Sequence, residues 1–267
     1  MSTLFLVATP IGNLDDMTYR AVRVLASVAL VAAEDTRSAR LLFQRYDIAT
    51  KTTSYNEHNA RTKTPLLLRT LDTGDIALIS DAGMPAISDP GHDLVLAALA
   101  AGHDVVPIPG PSAVVAAVAA SGLDSRRFHY LGFLPRQSGP RRKALTAAAA
   151  SGDTLVVYES PHRVRAALAD ALAVLGDRRI AVCRELTKLH EEIWRGAISD
   201  AIEHFTEPRG EFTLVIEGGA TFAQPEDSAT VVAELHRTKT AAKTAVAELM
   251  RRSGLSRRDA YALWHRD

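Results

Sequence analysis

The sequence predicts an α/β protein built as two sheet-and-helix units followed by a small helical piece. Three observations lead there. Short apolar runs alternate with helical stretches along most of the chain. Those runs are unbroken rather than alternating, so both strand faces are covered, as in a mainly parallel sheet between helical layers. Three strands also run into Gly/Pro-rich turns: Ala8-Thr-Pro-Ile-Gly-Asn13, Ser80-Asp-Ala-Gly-Met-Pro-Ala-Ile-Ser-Asp-Pro-Gly91 and Pro107-Ile-Pro-Gly-Pro-Ser-Ala113. Open α/β sheets hold small ligands at such strand ends.

Taken in order, strand Leu4–Ala8 leads to a helix over Met17–Ala26 with Val22 and Leu25 on one face. Strand Leu30–Ala33 precedes helix Thr36–Tyr46. An extended piece at Thr52–Tyr55 precedes helix Arg61–Leu71, and strand Ile76–Ile79 precedes helix Gly91–Ala101. Val105–Pro107 and the small-residue helix Ser112–Ala120 close a first domain over 1–121. Gly122–Phe128 reads as a linker. A second domain, 128–222, holds strand Tyr130–Phe133, helix Arg141–Ala150, strand Thr154–Tyr158 and helix His162–Leu175. The runs Arg179–Cys183, Glu191–Arg195 and Phe212–Ile216 follow. Too few residues separate Cys183 from Glu191 for a crossover, so antiparallel pairing and a mixed sheet are expected.

Residues 229–267 form a third, helical piece punctuated by Val231, Leu235, Val246, Leu249, Met250 and Trp264. Gly254 is the expected C-cap and Ser256 the next N-cap around a turn. This tail carries 8 Lys/Arg against 4 Asp/Glu. It reads either as a solvated amphipathic appendage or as a helix-turn-helix-like piece touching RNA phosphates.

Composition narrows the class. Lys plus Arg and Asp plus Glu number 31 each in 267 residues, so no overall positive field advertises a nucleic-acid partner. The single cysteine, Cys183, excludes an intrachain disulfide and a cysteine zinc cluster, and fits a reducing compartment. Its strand-like setting points to core packing. The N-terminus has no basic n-region and breaks at Pro10. The apolar stretches Leu94–Ala101 and Ala113–Ala120 are too short to span a bilayer. No membrane association is expected, and the cytoplasm is the expected location.

The first loop lacks G-x-G-x-x-G, the spacing that lets backbone approach a pyrophosphate, and no G-x-x-x-x-G-K-[ST] is present. A phosphate-free cofactor such as S-adenosylmethionine suits these loops better. His190-Glu-Glu-Ile-Trp194 is not H-E-x-x-H, and no metal is expected.

Nine segments then occur in a telling order: Leu6–Asp15, Ala33-Glu-Asp-Thr-Arg37, Tyr55-Asn-Glu-His-Asn59, Ser80–Gly91, Pro109–Ala113, Gly132-Phe-Leu-Pro-Arg136, Tyr158-Glu-Ser-Pro-His-Arg163, Arg184-Glu-Leu-Thr-Lys188 and Gly210–Glu217. In these the chain closely resembles the ribosomal RNA small subunit methyltransferase I family, within the tetrapyrrole methylase superfamily. The resemblance covers residues 3–218 strongly and the tail loosely. It implies two α/β domains with S-adenosylmethionine in the cleft between them, and a homodimer. It also implies 2′-O-methylation of a cytidine ribose in the decoding region of small-subunit (16S) ribosomal RNA, with the RNA or the assembled subunit as partner. Cofactor contacts carried over are Pro10, then Ala82, Gly83, Met84 and Ile87, then Ser112 and Ala113, with Glu159 and Leu214 from the second domain.

A ribose hydroxyl is a poor nucleophile until its proton is drawn away, so a base is expected nearby. Glu57 and His58 come first as candidates, then Asp35 and Asp81. Each also reads as a helix cap or solvated loop charge, Asp35 above all. Arg37, Arg136, Arg141, Arg142, Lys143, His162, Arg163 and Lys188 are the candidate RNA contacts, because RNA binding needs phosphate neutralisation. No dense run of aromatics accompanies them, so recognition through RNA shape is expected. Two other functions fit the same scaffold: a tetrapyrrole or other small-molecule methyltransferase, and a non-catalytic ribosome-assembly factor that binds RNA.

Overall fold

A computed structural model describes residues 2–219, 227–238, 240–253, 255 and 257–265. The first sheet contains β1 (Thr3–Val7), β2 (Leu30–Ala33), β3 (Thr52–Ser54), β4 (Ile76–Ile79) and β5 (Asp104–Ile108). All pairings are parallel, in the order β3-β2-β4-β1-β5. Every residue of β4 is buried, as its uninterrupted apolar sequence requires. Helices α1 (Tyr19–Ser27) and α2 (Thr36–Arg45) pack on one face through Ala21, Leu25, Leu42 and Phe43. Helices α3 (Ala60–Leu71) and α4 (His92–Ala100) cover the other through Leu67, Leu71, Leu94 and Ala98. The chain leaves β1 toward β2 and leaves β4 toward β5, so the β4/β1 boundary is a topological switch point where a crevice opens.

The second sheet is mixed, as expected. It holds β6 (Phe128–Phe133), β7 (Thr154–Glu159), β8 (Arg179–Arg184), β9 (Glu192–Ala197) and β10 (Phe212–Ile216), in the order β6-β7-β10-β8-β9. Only β6 and β7 pair in parallel. One face is covered by α6 (Ser138–Ala149), α7 (Val164–Leu175) and the seven-residue α8 (Ile198–His204), a helix the sequence reading did not anticipate.

The other face is covered by α5 (Ala113–Ser121), which follows the first sheet in the chain yet packs on the second. Val114, Ala117 and Val118 meet Val156, Ala181, Cys183 and Val215 in one buried cluster. Arg195 of β9 secures the helix end, donating to the Ser121 carbonyl at 3.1 Å and to that of Ala120. Helix α5 thus carries the chain from the first sheet into the core of the second. The chain up to Ala149, together with Asp153–Glu217, forms one compact unit that holds both sheets. Phe128, expected in a linker, begins β6, and the expected end at 222 lies outside the described residues.

Ala150–Gly152 and the chain from Gly218 onward form a second unit. Its helices α9 (Ser228–Arg237), α10 (Ala242–Ser253) and α11 (Arg257–Trp264) bury Val231, Leu235, Leu249 and Trp264. The His236 and Trp264 rings stack with centroids 3.9 Å apart. Gly254 and Ser256 lie outside the described residues. Among the described residues, no helix is long and apolar enough to cross a membrane.

Candidate functional site

A cavity of about 430 Å³ opens at the switch point. The first sheet supplies its floor: Ile11 after β1, Ala82–Met84 and Ile87–Asp89 after β4, and Ser112 and Ala113 after β5. The second sheet supplies the roof: Phe133 at the end of β6, Tyr158–Pro161 at the end of β7, and Cys183 and Leu186 from β8 onward. Because β10 runs antiparallel to β7, its start (Glu211–Thr213) reaches the same rim.

Two contacts close the walls on each other. The Asn13 N–H donates to Thr187 Oγ1 at 3.1 Å, and the Ser88 and Tyr130 hydroxyls meet at 2.8 Å. The backbone is strained at both places. Ala86, Ser88, Glu185 and Thr187 have φ of 69°, 60°, 51° and 66°, a region L-residues rarely enter. Such strain persists where surrounding structure over-determines the chain, and it concentrates at ligand sites. Thr9 and Gly83 exchange backbone hydrogen bonds of 2.9 and 3.0 Å, tying the β1 and β4 loops together.

The wall is acidic and apolar. Asp89, Glu159 and Glu211 line it, and none of the described lining residues is Lys or Arg. The Glu159 side chain is fully buried, with Arg163 Nε 3.2 Å from Oε1 and the Ser160 N–H donating to the same oxygen at 3.0 Å. Burial nevertheless pushes its carboxyl above the ordinary range. Asp89 is pushed up to about 6, chiefly by burial and then by the charge of Glu34 and Asp81, with the Ser80 hydroxyl opposing. Glu34 is itself raised by burial and accepts from the Asp81 N–H at 3.2 Å. Burial raises the Cys183 thiol to about 11, which suits packing rather than nucleophilic attack.

Seven of the nine expected cofactor contacts stand in this wall: Ala82, Gly83, Met84, Ile87, Ser112, Ala113 and Glu159. Pro10 is buried just before the lining residue Ile11. Leu214 points into the core of the second sheet, and its neighbours Phe212 and Thr213 line the cavity instead.

None of the four base candidates lines it. Glu57 and His58 are 80% and 86% exposed and face each other at 3.7 Å. Asp35 caps α2, accepting from the Arg37 N–H at 2.8 Å, and the Arg37 guanidinium holds its carboxyl down to about 2. Asp81 is exposed to solvent on one side, and partial desolvation on the other, with the nearby Asp35 charge, raises its carboxyl. The acid in the wall, Asp89, was missed because Ser88-Asp-Pro-Gly91 reads as a turn. Its place in the same Ser80–Gly91 loop was the available signal.

The cations also divide. Arg141, expected at the surface, is 5% exposed, with Nη2 2.6 Å from Asp170 Oδ2, so its charge is engaged within the fold. Arg163 is engaged by Glu159 and the Leu134 carbonyl. Lys188 lies 2.9 Å from both Glu185 and Glu211. Arg37 is exposed but bonded to Asp35, and Arg142 is half-exposed with Nε 2.6 Å from Asp170. Arg136, Lys143 and His162 are exposed.

Comparison with known proteins agrees with this geometry. The profile of the Tetrapyrrole (Corrin/Porphyrin) Methylases matches residues 3–202. A Halalkalibacterium halodurans protein named Ribosomal RNA small subunit methyltransferase I is 45% identical over a 275-residue alignment, covering 99% of this chain and 95% of that protein. A Synechocystis protein of the same name is 50% identical over 231 residues, covering 85% and 81%. Among solved structures, uroporphyrin-III C-methyltransferase from Thermus thermophilus, complexed with S-adenosylhomocysteine, matches with a TM-score of 0.59 at 18% identity. That match covers 81% of this chain and 97% of the other, and the likeness is one of fold.

Proposed function

The chain belongs to the ribosomal RNA small subunit methyltransferase I family of tetrapyrrole methylases, and from that premise we propose that it methylates the ribose 2′-oxygen of a cytidine in the decoding region of small-subunit ribosomal RNA. It does so with S-adenosylmethionine, as a homodimer in the cytoplasm. The character of the cleft wall carries this reading. Three carboxylates and no described Lys or Arg line it; Arg163 and Lys188 pair with Glu159 and Glu211 but do not line the cavity, so the wall offers no cation to a pyrophosphate and suits a phosphate-free sulfonium. The apolar residues Ile11, Met84 and Leu186 in that wall suit the uncharged parts of the same molecule.

When bound, S-adenosylmethionine supplies a methyl group already activated on sulfur. The protein's share is placement and proton removal. Ala82–Met84 and Ser112–Ala113, which line the cavity, would hold the ligand, and Glu159 is fixed by Arg163 and the Ser160 N–H. Holding the ribose oxygen in line can supply up to roughly 7–11 kcal/mol of the barrier. Asp89 Oδ is the acceptor for the 2′-hydroxyl proton, help typically worth about 10²–10⁴-fold. Of the candidate RNA contacts, Arg136, Lys143 and His162 are left exposed for phosphates.

Methyl-labelled cofactor incubated with small-subunit ribosomal RNA, assembled small subunits or tetrapyrrole precursors tests the reading. Label is expected in an alkali-resistant dinucleotide, since a methylated 2′-oxygen cannot attack the neighbouring phosphate. Label on a base or a tetrapyrrole refutes it. A chain that binds RNA but shows no calorimetric binding of S-adenosylmethionine is an assembly factor instead.

A further inference from the structure

Strand β6 is an edge of the second sheet, paired only with β7. It leaves large apolar surface uncovered, with Phe128 41% and Phe133 54% exposed. In a regular strand residues 128 and 130 share a face and 133 points away. Here the register with β7 shifts between Tyr130 and Phe133, and Gly132 sits at φ 63°, a conformation that favours glycine. This bulge re-aims Phe133 to the side of Tyr130. Both rings then meet Tyr158 edge-on, with centroids 5.7 and 5.1 Å away. Phe133 therefore stands in the cleft wall on an aromatic footing that Ser88 anchors through Tyr130. Ile87, 51% exposed, lines the same cavity from the other sheet.

The charge left unpaired along the β6 segment is positive. Between Asp124 and Asp153 the chain contains no acidic residue and six Lys or Arg. Asp124 holds Arg126, Asp153 holds Arg127, and Asp170 holds Arg141 and Arg142. Arg136, three residues beyond Phe133, and Lys143 are exposed, and no acidic group among the described residues engages them. Exposed aromatic faces beside such cations are what unpaired nucleotides require: rings to stack on and charge for the phosphates.

We propose that Phe133, with Phe128 further along β6 and Arg136 beside it, is a stacking seat for unpaired bases of the RNA, continuous with the methyl-transfer cleft. The seat rests on the functional reading above. It replaces recognition by RNA shape alone with direct capture of splayed bases next to the reacting ribose.

The test uses the full chain with F133A, F133L and F133W, binding small-subunit ribosomal RNA at fixed salt and, separately, S-adenosylmethionine by calorimetry. F133A should weaken RNA binding by about tenfold or more. F133W should restore it and F133L should not, with any change in cofactor affinity severalfold smaller than the change in RNA affinity. RNA affinity that survives in F133A or F133L overturns the seat, and so does a loss confined to the cofactor, since Phe133 would then be covering the ligand. A wild-type chain that binds no ribosomal RNA refutes the functional reading itself, whereas wild-type binding with indifferent variants refutes only the seat.

Discussion

The Ser88 hydroxyl lies 2.8 Å from the Tyr130 phenol oxygen, joining the strained loop after β4 to the edge strand of the second sheet. A Cβ added at Gly132 would come within 3.0 Å of that same Ser88 Oγ, at a φ of 63°. Gly132→Ala therefore combines a left-handed penalty of about 1–2 kcal/mol with displacement of Ser88. Tyr130→Phe removes only the hydrogen bond, worth about 0.5–1.5 kcal/mol. Thermal melts should rank Gly132→Ala below Tyr130→Phe, and both below wild type. A neutral Gly132→Ala would mean that the bulge does not hold the two walls together.

Asp89 makes a pH prediction of definite sign. Its carboxyl is pushed up to about 6 in the fold, by burial first and then by Glu34 and Asp81, against about 3.9 in an unfolded chain. The folded state thus holds this proton more tightly, and keeping Asp89 ionised costs stability above that range. Asp89→Asn should be more stable than wild type at neutral pH, with the gap closing as pH falls toward about 4. Activity should run the other way. Wild-type rate should fall as pH drops through about 6, and Asp89→Asn should be slow at every pH without that limb. A wild-type profile flat across this window would remove Asp89 as the proton acceptor.

How far the sequence could be read depended on whether the relevant partners were local. The parallel sheet was legible from unbroken runs such as Ile76–Ile79, whereas the seven cofactor-wall residues came from the family resemblance, six of them lying in Gly/Pro loops that adjoin their strands. Helix α5 was legible as a helix, but Ala-Val-Val-Ala-Ala-Val-Ala-Ala-Ser is apolar all round, so periodicity could not say which sheet it covers. Arg141 resembled a surface cation because its partner Asp170 lies 29 residues away. Phe128, Tyr130 and Phe133 do not form a run in the sequence. The bulge at Gly132 brings Tyr130 and Phe133 to one side.

Gly83 sits where the β1 and β4 loops bridge, at φ 77°, in the cavity wall. Its nearest neighbour to an added Cβ is Ile11 Cγ2 at 3.6 Å, so a methyl group fits and the cost of Gly83→Ala is the backbone conformation alone. Gly83→Val adds a branched side chain at a φ that such residues resist, and fills space on the ligand side. Calorimetry should show weakened S-adenosylmethionine binding for Gly83→Ala and none for Gly83→Val. Affinity retained by the valine variant would dislodge the ligand from this loop.

Arg141 and Asp170 supply the sharpest separation of fold from function. Arg141 Nε and Nη2 lie 2.7 and 2.6 Å from Asp170 Oδ2, while Ser138 Oγ and Arg142 Nε donate to Oδ1 at 2.9 and 2.6 Å. Burial alone would raise the Asp170 carboxyl. The bonds from Arg142, Ser138 and Arg141 outweigh it and hold the group below the ordinary range. Its stabilising share is therefore present at neutral pH and lost in acid, as the folded-state carboxyl takes up its proton. Asp170→Ala strands a buried guanidinium and should cost about 3–5 kcal/mol, whereas the paired replacement Arg141→Met with Asp170→Leu should cost less than that single change. Arg141→Met should lower the melting temperature and leave both RNA affinity and its salt slope as in wild type. If it instead keeps its melting temperature and loses RNA affinity with a shallower salt slope, Arg141 contacts phosphate and its burial against Asp170 is not the state that binds RNA.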